Sequence, residues 1–287
     1  MAESRVSVGA SLSYAWHLWR SSARSIWGVL ALSSLAWTVC YAGDLADNRM
    51  VALAGMAAGQ LLSLATMGTM YRLAFAEDHP GDPAFALGHL GLQWGRTEWR
   101  LLGASLLLTL FLAIIVVLEF VVVGAICLGI LANKGGPAPP ATPQALLAAL
   151  GPDGAPVLKV LFYLACCGLL FIWGRLLLTT AASADSGRIK VLATWRLTKG
   201  QFWRLLASAI VVGLPMIFAE FMVLALAQSD RIDPTSVPQF SAGGAVAGGL
   251  LLGAIAGALV GPLTAGVLAY YYRHLRTPAA GANDKKP

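Results

Sequence analysis

The chain has 287 residues, 57% of them hydrophobic and only 12% charged, with a mean hydropathy of +0.71. A soluble domain is nearer about 45–50% apolar and about 25% charged, so this composition excludes one and describes a chain mostly embedded in a bilayer. The net charge of +6 does not indicate nucleic acid, because no polar domain is left to carry a basic groove; it is expected to set membrane orientation.

The opening stretch MAESRVSVGASLSYAWHLWRSSARS is not expected to be a signal peptide, since its polar start is long and the first apolar run begins near Ile26. Leu12, Ala15, Trp16 and Trp19 share one helical face, which predicts a helix over residues 10–20 lying in the membrane interface. A first span follows over 26–43 and ends in the polar turn GDLADNRM. A second, over 51–76, returns the chain to Tyr71 and Arg72. EDHPGDP then stops the helix, with Asp82 and Pro83 suited to start another, and a second interfacial helix is predicted over 84–93.

The third span, 101–132, is longer than one crossing needs, so it must tilt, project or break. A loop rich in proline and glycine leads to the fourth span, 157–182, and Asp185 is suited to cap a third interfacial helix over 188–199. In that helix Lys190, Thr194 and Thr198 would form a narrow polar line at four-residue steps. The fifth span, 205–228, contains Pro215, where a kink is expected. The sixth, 244–272, carries Gly244 and Gly248, then Gly249, Gly253, Gly257 and Gly261, a pattern that lets another helix approach closely. Residues 277–287 form a polar tail expected to be disordered. Cys40, Cys127, Cys166 and Cys167 lie in apolar runs without metal-ligand spacing and read as small buried hydrophobes.

Trp19, Arg20 and Trp27 recur in the same frame as Trp195, Arg196 and Trp203, and Trp99 keeps the closing position in between. With Trp27, Trp99 and Trp203 superposed, Arg72, Arg175 and Arg273 at the ends of the returning spans also come into register. The reading is an all-α integral membrane protein: six transmembrane helices as three parallel repeats, each an interfacial helix plus a hairpin, in one domain over 1–276. Only Arg49, Lys134, Lys159 and Arg231 of the 20 Lys and Arg fall on the far side; the other 16 share the side of the termini. The positive-inside rule then places both termini in the cytoplasm of a bacterial inner membrane.

Glu119 and Glu220 are the acids inside long apolar runs, and an ionisable group in hydrocarbon is a candidate site because it costs about 3 kcal/mol or more. They lie 20 and 17 residues beyond Trp99 and Trp203, hence about 30 and 26 Å along a straight helix, which also suits the outer boundary. Asp47 and Asp44 stand at the same offsets from Trp27. The sequence pattern makes Arg72, Arg175, Arg196, Arg204 and Arg273, with Trp27, Trp99, Trp195 and Trp203, candidates for contact with headgroups at the interface. Glu77, Asp78, His79, Asp82 and His89 are metal-capable but lack a ligand spacing and read as a solvated capping turn. No catalytic set, metal site or cofactor motif stands out, and the chain is not expected to be an enzyme.

The run GRLLLTTAASADSGRIKVLATWRLTKGQFWRLL resembles the membrane domain of glycerophosphoryl diester phosphodiesterase and related bacterial membrane proteins, through Arg175, Thr179 to Ala184, Trp195, Leu197, Thr198, Gly200 and Arg204. That resemblance implies a membrane module without the phosphodiesterase barrel. The expected function is structural or accessory, with membrane lipids and a membrane or cytoplasmic protein as partners. The alternative is a small-solute or lipid transporter using Glu119 and Glu220.

Overall fold

The computed structural model describes residues 6–133, 143–229 and 240–276. The expected disordered tail, 277–287, lies outside them, as do residues 134–142 and 230–239. Among the described residues all regular structure is helical, and six helices are long and apolar enough to cross a membrane: Trp27–Leu45, Arg49–Phe75, His89–Ala132, Pro156–Ser186, Phe202–Leu226 and Gly243–Arg276. The all-α, six-span class is therefore what the structure has. The chain divides into one unit of residues 1–104 and 177–287, and a second of 105–176.

In the first unit, α2 (Trp27–Leu45) packs on α3 (Arg49–Phe75) and on α9 (Ala242–Ala254). Of the glycines predicted to admit a close neighbour, Gly249, Gly253 and Gly257 face α2, where a Cβ on Gly249 would lie 2.7 Å from that of Ala42 and Gly253 and Gly257 are closed off by Thr38 and Ser34; Gly248 meets Leu45 and Val223, and Gly244 and Gly261 meet only residues beside them in the chain. A π turn over Ile255–Val260 joins α9 to α10 (Gly261–Arg276). Pro262 has no N–H to give the carbonyl four residues back, Ala258. That oxygen instead accepts from the indole Nε1 of Trp19 at 2.8 Å, which meets the demand that no backbone group go unpaired in lipid.

Trp19 belongs to α1 (Val8–Ser22), the first predicted interfacial helix, and the structure corrects its setting. Ser11 and Ala15 are fully buried, Ala15 against Gly266 of α10. Ser11 shares a hydrogen-bond chain with Ser208 of α8 (Phe202–Ser229) and Tyr271, with steps of 3.1 and 3.0 Å. Trp16 alone of the predicted face is strongly exposed. The other two interfacial helices are not formed. Residues 84–93 hold only the 3-10 turns Pro83–Phe85 and His89–Gly91, because Leu90 (φ 56°) and Gly91 (φ 73°) take left-handed conformations that end a helix. Over 188–199 there is only the single turn α7 (Thr194–Leu197). Thr194 and Thr198 are buried there, bonding to Val191 O and Thr194 O, while Lys190 and Leu192 are exposed, so the two threonines of the expected polar line point inward and its lysine does not. Of the three expected interfacial helices, only the first is present as a full helix.

The third span does not break: α4 (Arg96–Asn133) is continuous for 38 residues, about 57 Å, against about 30 Å of hydrocarbon. Pro215 likewise sits inside an unbroken α8. In the second unit α4 meets α5 (Pro143–Leu176), which turns sharply at Gly151 (φ 69°, ψ −174°). Cys127 and Leu131 pack with Leu158, and Glu119 lies beside Gly168, so the two helices run antiparallel. Cys127 is buried, but Cys166 and Cys167 are exposed on α5, contrary to their expected burial. Beyond α5, a short α6 (Thr179–Ser186) belongs to the first unit.

Replacing Gly253 by Leu is expected to cost about 1–3 kcal/mol by forcing α9 off α2. Gly213→Leu, where a Cβ meets nothing within 4 Å, should leave thermal unfolding in detergent nearly unchanged. The comparison of the two melting curves checks the packing.

Candidate functional site

The charged groups of the first unit concentrate where α3, α6 and α10 end and α4 and α8 begin. Glu98 is the third residue of α4, and its Oε2 reaches back 2.8 Å to the N–H of Gly95, the residue before the helix. A carboxylate at this position satisfies an orphan donor and complements the helix dipole. The same oxygen receives Arg72 Nη2 at 2.6 Å, and the two side chains are 5% and 0% exposed. Arg72 Nε donates to Ala84 O at 3.1 Å, and Thr69 Oγ1 to Gly91 O at 3.0 Å. Gly68 leaves the room that the Glu98 carboxyl occupies. Arg72 Nη1 and Glu98 Oε1 are buried with no hydrogen-bond partner among the described residues. Arg72, a candidate for headgroup contact, is thus buried in an ion pair, and its partner is an acid that the sequence reading passed over.

The turn after α3 is solvated at Glu77, Asp82 and His89, as expected, but Asp78 and His79 join a second network. Arg273 Nη2 meets Asp78 at 2.8 Å and Glu77 at 3.5 Å, and Nη1 donates to Ala74 O. Arg276 pairs with Asp78 at 2.5 Å and with Asp185, and its guanidinium lies over the rings of Phe75 and Tyr272. His79 Nε2 stands 3.0 Å from Asp185 Oδ1 and stacks on Phe85, while Tyr272 OH donates to Asp185 Oδ2 at 3.2 Å. Asp185 is thus an internal acceptor within α6 rather than a helix cap. Asp82 does cap as expected, accepting from Ala84 N.

The remaining interface candidates divide by burial. Trp27, Trp99 and Trp203 stand in the first turns of α2, α4 and α8 and are 56%, 62% and 76% exposed. Trp195 and Arg196 are also exposed. Arg204 turns inward to Val6 O and Gln201 Oε1, both at 3.3 Å. Arg175 lies over the ring of Phe171, 5.3 Å from its centroid. From Arg188 to Trp203 the exposed residues are Arg188, Lys190, Arg196 and Lys199, the large apolar Ile189, Leu192, Trp195 and Trp203, and the small Ala193 and Gly200.

Glu119 and Glu220 occupy different settings. In the second unit Glu119 is half-buried and lines a cleft of about 680 Å³ with Phe120, Lys159, Phe162 and Tyr163. In the first unit Glu220 is exposed and shares a cleft of about 220 Å³ with Tyr41 and Asp44. Asp44 is the residue at Glu220's own offset from an interfacial tryptophan. No protein-family model, curated protein or solved structure matches the chain.

Removing one partner of a buried ion pair strands a charge, so Arg72→Met or Glu98→Leu alone is expected to destabilise by about 3–5 kcal/mol. The double substitution should recover most of that loss. Thermal unfolding of the three variants in one detergent checks the coupling.

Proposed function

We propose that the chain is a structural or accessory protein of the bacterial inner membrane that holds anionic lipid headgroups, and through them or beside them a partner protein, on a basic cytoplasmic surface. The observation that carries this reading is the exposed surface of the run from Arg188 to Trp203, where four cations are interspersed with four large apolar side chains. Such a surface gains both from apolar burial at the acyl boundary and from attraction to anionic lipid, about 1 kcal/mol per cation. The 16-to-4 distribution of Lys and Arg supports cytoplasmic termini, and the resemblance of residues 175–204 to the phosphodiesterase membrane domain belongs to the same proposal. Thr194 and Thr198 turn inward onto Thr179 and the backbone, which leaves the cations and large apolar residues of the segment on the surface.

A second reading, a transporter of a small solute or lipid, has one observation in its favour: Glu119 shares an otherwise apolar cleft with Lys159. It requires Glu119 to react with dicyclohexylcarbodiimide from the lipid phase; a wild-type chain that takes up no more label than Glu119→Gln would sink it.

For the first reading, the full chain in phosphatidylcholine bilayers should retain spin-labelled phosphatidylglycerol in preference to spin-labelled phosphatidylcholine. Replacing Arg188, Lys190, Arg196 and Lys199 by Gln should reduce that preference at least about fivefold, and a phosphatase fused after Lys199 should stay inactive. An unchanged preference, or an active phosphatase, rejects the surface or its sidedness.

A further inference from the structure

We propose that Arg100, Arg188 and Lys190 form a binding site for the phosphomonoester headgroup of a lipid, built around Gly187. The proposal rests on the headgroup reading above and narrows it to one site and one ligand class. Gly187 ends α6 in the left-handed conformation (φ 64°, ψ 12°). A Cβ there would lie 3.2 Å from Arg100 Nη1 and 3.8 Å from Nη2, so the guanidinium is laid across the glycine. This brings an arginine from the first turns of α4 beside the chain that carries Arg188 and Lys190.

The loop is held in place from behind. Ser183 Oγ accepts from Lys190 N at 3.1 Å, and Ser186 Oγ donates to Arg188 O at 3.1 Å. Ile189 lies against Gly103 of α4, 2.9 Å from where a Cβ would stand. Three cations are thus presented on a fixed frame, which lowers the ordering cost of binding.

No acid neutralises them. The nearest in sequence are Glu98, buried against Arg72, and Asp185, held by Arg276, His79 and Tyr272. Among the described residues Arg100, Arg188 and Lys190 form no ion pair, and the Arg100 guanidinium makes no hydrogen bond. A planar fork with free donors matches a phosphate in geometry. Three cations together match a group of about −1.5 to −2, the charge of a phosphomonoester at pH 7, better than a singly charged phosphodiester. Trp99, adjoining Arg100, is 62% exposed, and Ile189 is 45% exposed. These apolar neighbours place the cations at headgroup level and favour phosphate carried by a lipid over phosphate free in water.

The test uses the full chain in phosphatidylcholine nanodiscs doped with phosphatidic acid or phosphatidylglycerol at equal mole fraction, with bound lipid read by native mass spectrometry. Phosphatidic acid should be retained about tenfold over phosphatidylglycerol, and Arg100→Gln should bring the two within about twofold. Arg188→Gln with Lys190→Gln, whose side chains are exposed, should do the same without changing the melting temperature, which keeps the test valid if Arg100→Gln fails to fold. Equal retention of the two lipids by the wild-type chain, or a preference that survives these substitutions, overturns the site. Inorganic phosphate that displaces phosphatidic acid as readily as added lipid overturns the lipid assignment. Absence of any preference for phosphatidylglycerol over phosphatidylcholine is a separate result, and it removes the broader headgroup reading.

Discussion

The contact between Arg72 and Glu98 is the constraint on which the irregular end of the first unit, where α3 stops and α4 starts, depends. Burying two charges costs several kcal/mol each, and their attraction offsets it only with good geometry and further hydrogen bonds. Those further bonds are supplied by the backbone between α3 and α4: Gly95 N–H goes to Glu98 and Ala84 O to Arg72. The segment 83–95 lacks helical hydrogen bonds of its own for most of its length, yet its groups are taken one by one. Gly91 O accepts from Thr69 and Ala86 O from Gln93. The ion pair and the non-helical loop therefore require each other: the loop supplies the bonds that make burial tolerable, and the pair fixes the loop in a shape that has no repeat of its own.

The same rule, that a backbone group withdrawn from water must find a partner, explains why α1 leaves the surface it was expected to occupy. Pro262 frees a carbonyl inside the sixth span, and the indole of Trp19 is the donor that reaches it. Once Trp19 is committed to Ala258, the face bearing Ser11 and Ala15 lies against α8 and α10, where Ser208 and Tyr271 complete the hydroxyl chain. A tryptophan that reads as an interfacial anchor by composition is here a hydrogen-bond donor to a broken helix.

Hydropathy made the spans legible because each crossing needs about 20 apolar residues and nothing in the chain competes with that signal. The glycine stripe of the sixth span was legible for a similar reason: a step of four residues is a helical face whatever the partner, although only the structure identifies α2 as that partner. The interfacial helices 84–93 and 188–199 were misread because aromatic and basic residues mark depth, not conformation. Leu90 and Gly91 adopt positive φ, and Thr194 and Thr198 serve buried bonds that periodicity cannot distinguish from a polar line. Glu98 was missed because it lies two residues from Arg96 and Arg100 in a stretch that reads as a solvated boundary. Its place at the third position of a helix after Gly95 was the one sequence signal that pointed inward.

The basic residues at this end consequently fall into two groups that charge counting merges. Arg72, Arg273 and Arg276 are neutralised by Glu98, Asp78 and Asp185, and Arg204 is spent on Val6 and Gln201. These residues hold helix ends together and contribute little field outside the protein, since each neutralised charge is cancelled at contact distance. Arg100, Arg188, Lys190, Arg196 and Lys199 have no acid within ion-pairing distance among the described residues. Their potential is cancelled only by solvent, salt or an external anion, and it falls off over about 8–10 Å at physiological ionic strength. Arg20, Arg24 and Arg96 are likewise exposed and in no ion pair among the described residues, so the unpaired charge of the first unit is spread more widely than the loop that carries Arg188 and Lys190. Charge alone therefore attracts anionic lipid without distinction, and selection among headgroups has to come from geometry, as where the Arg100 guanidinium is laid across Gly187.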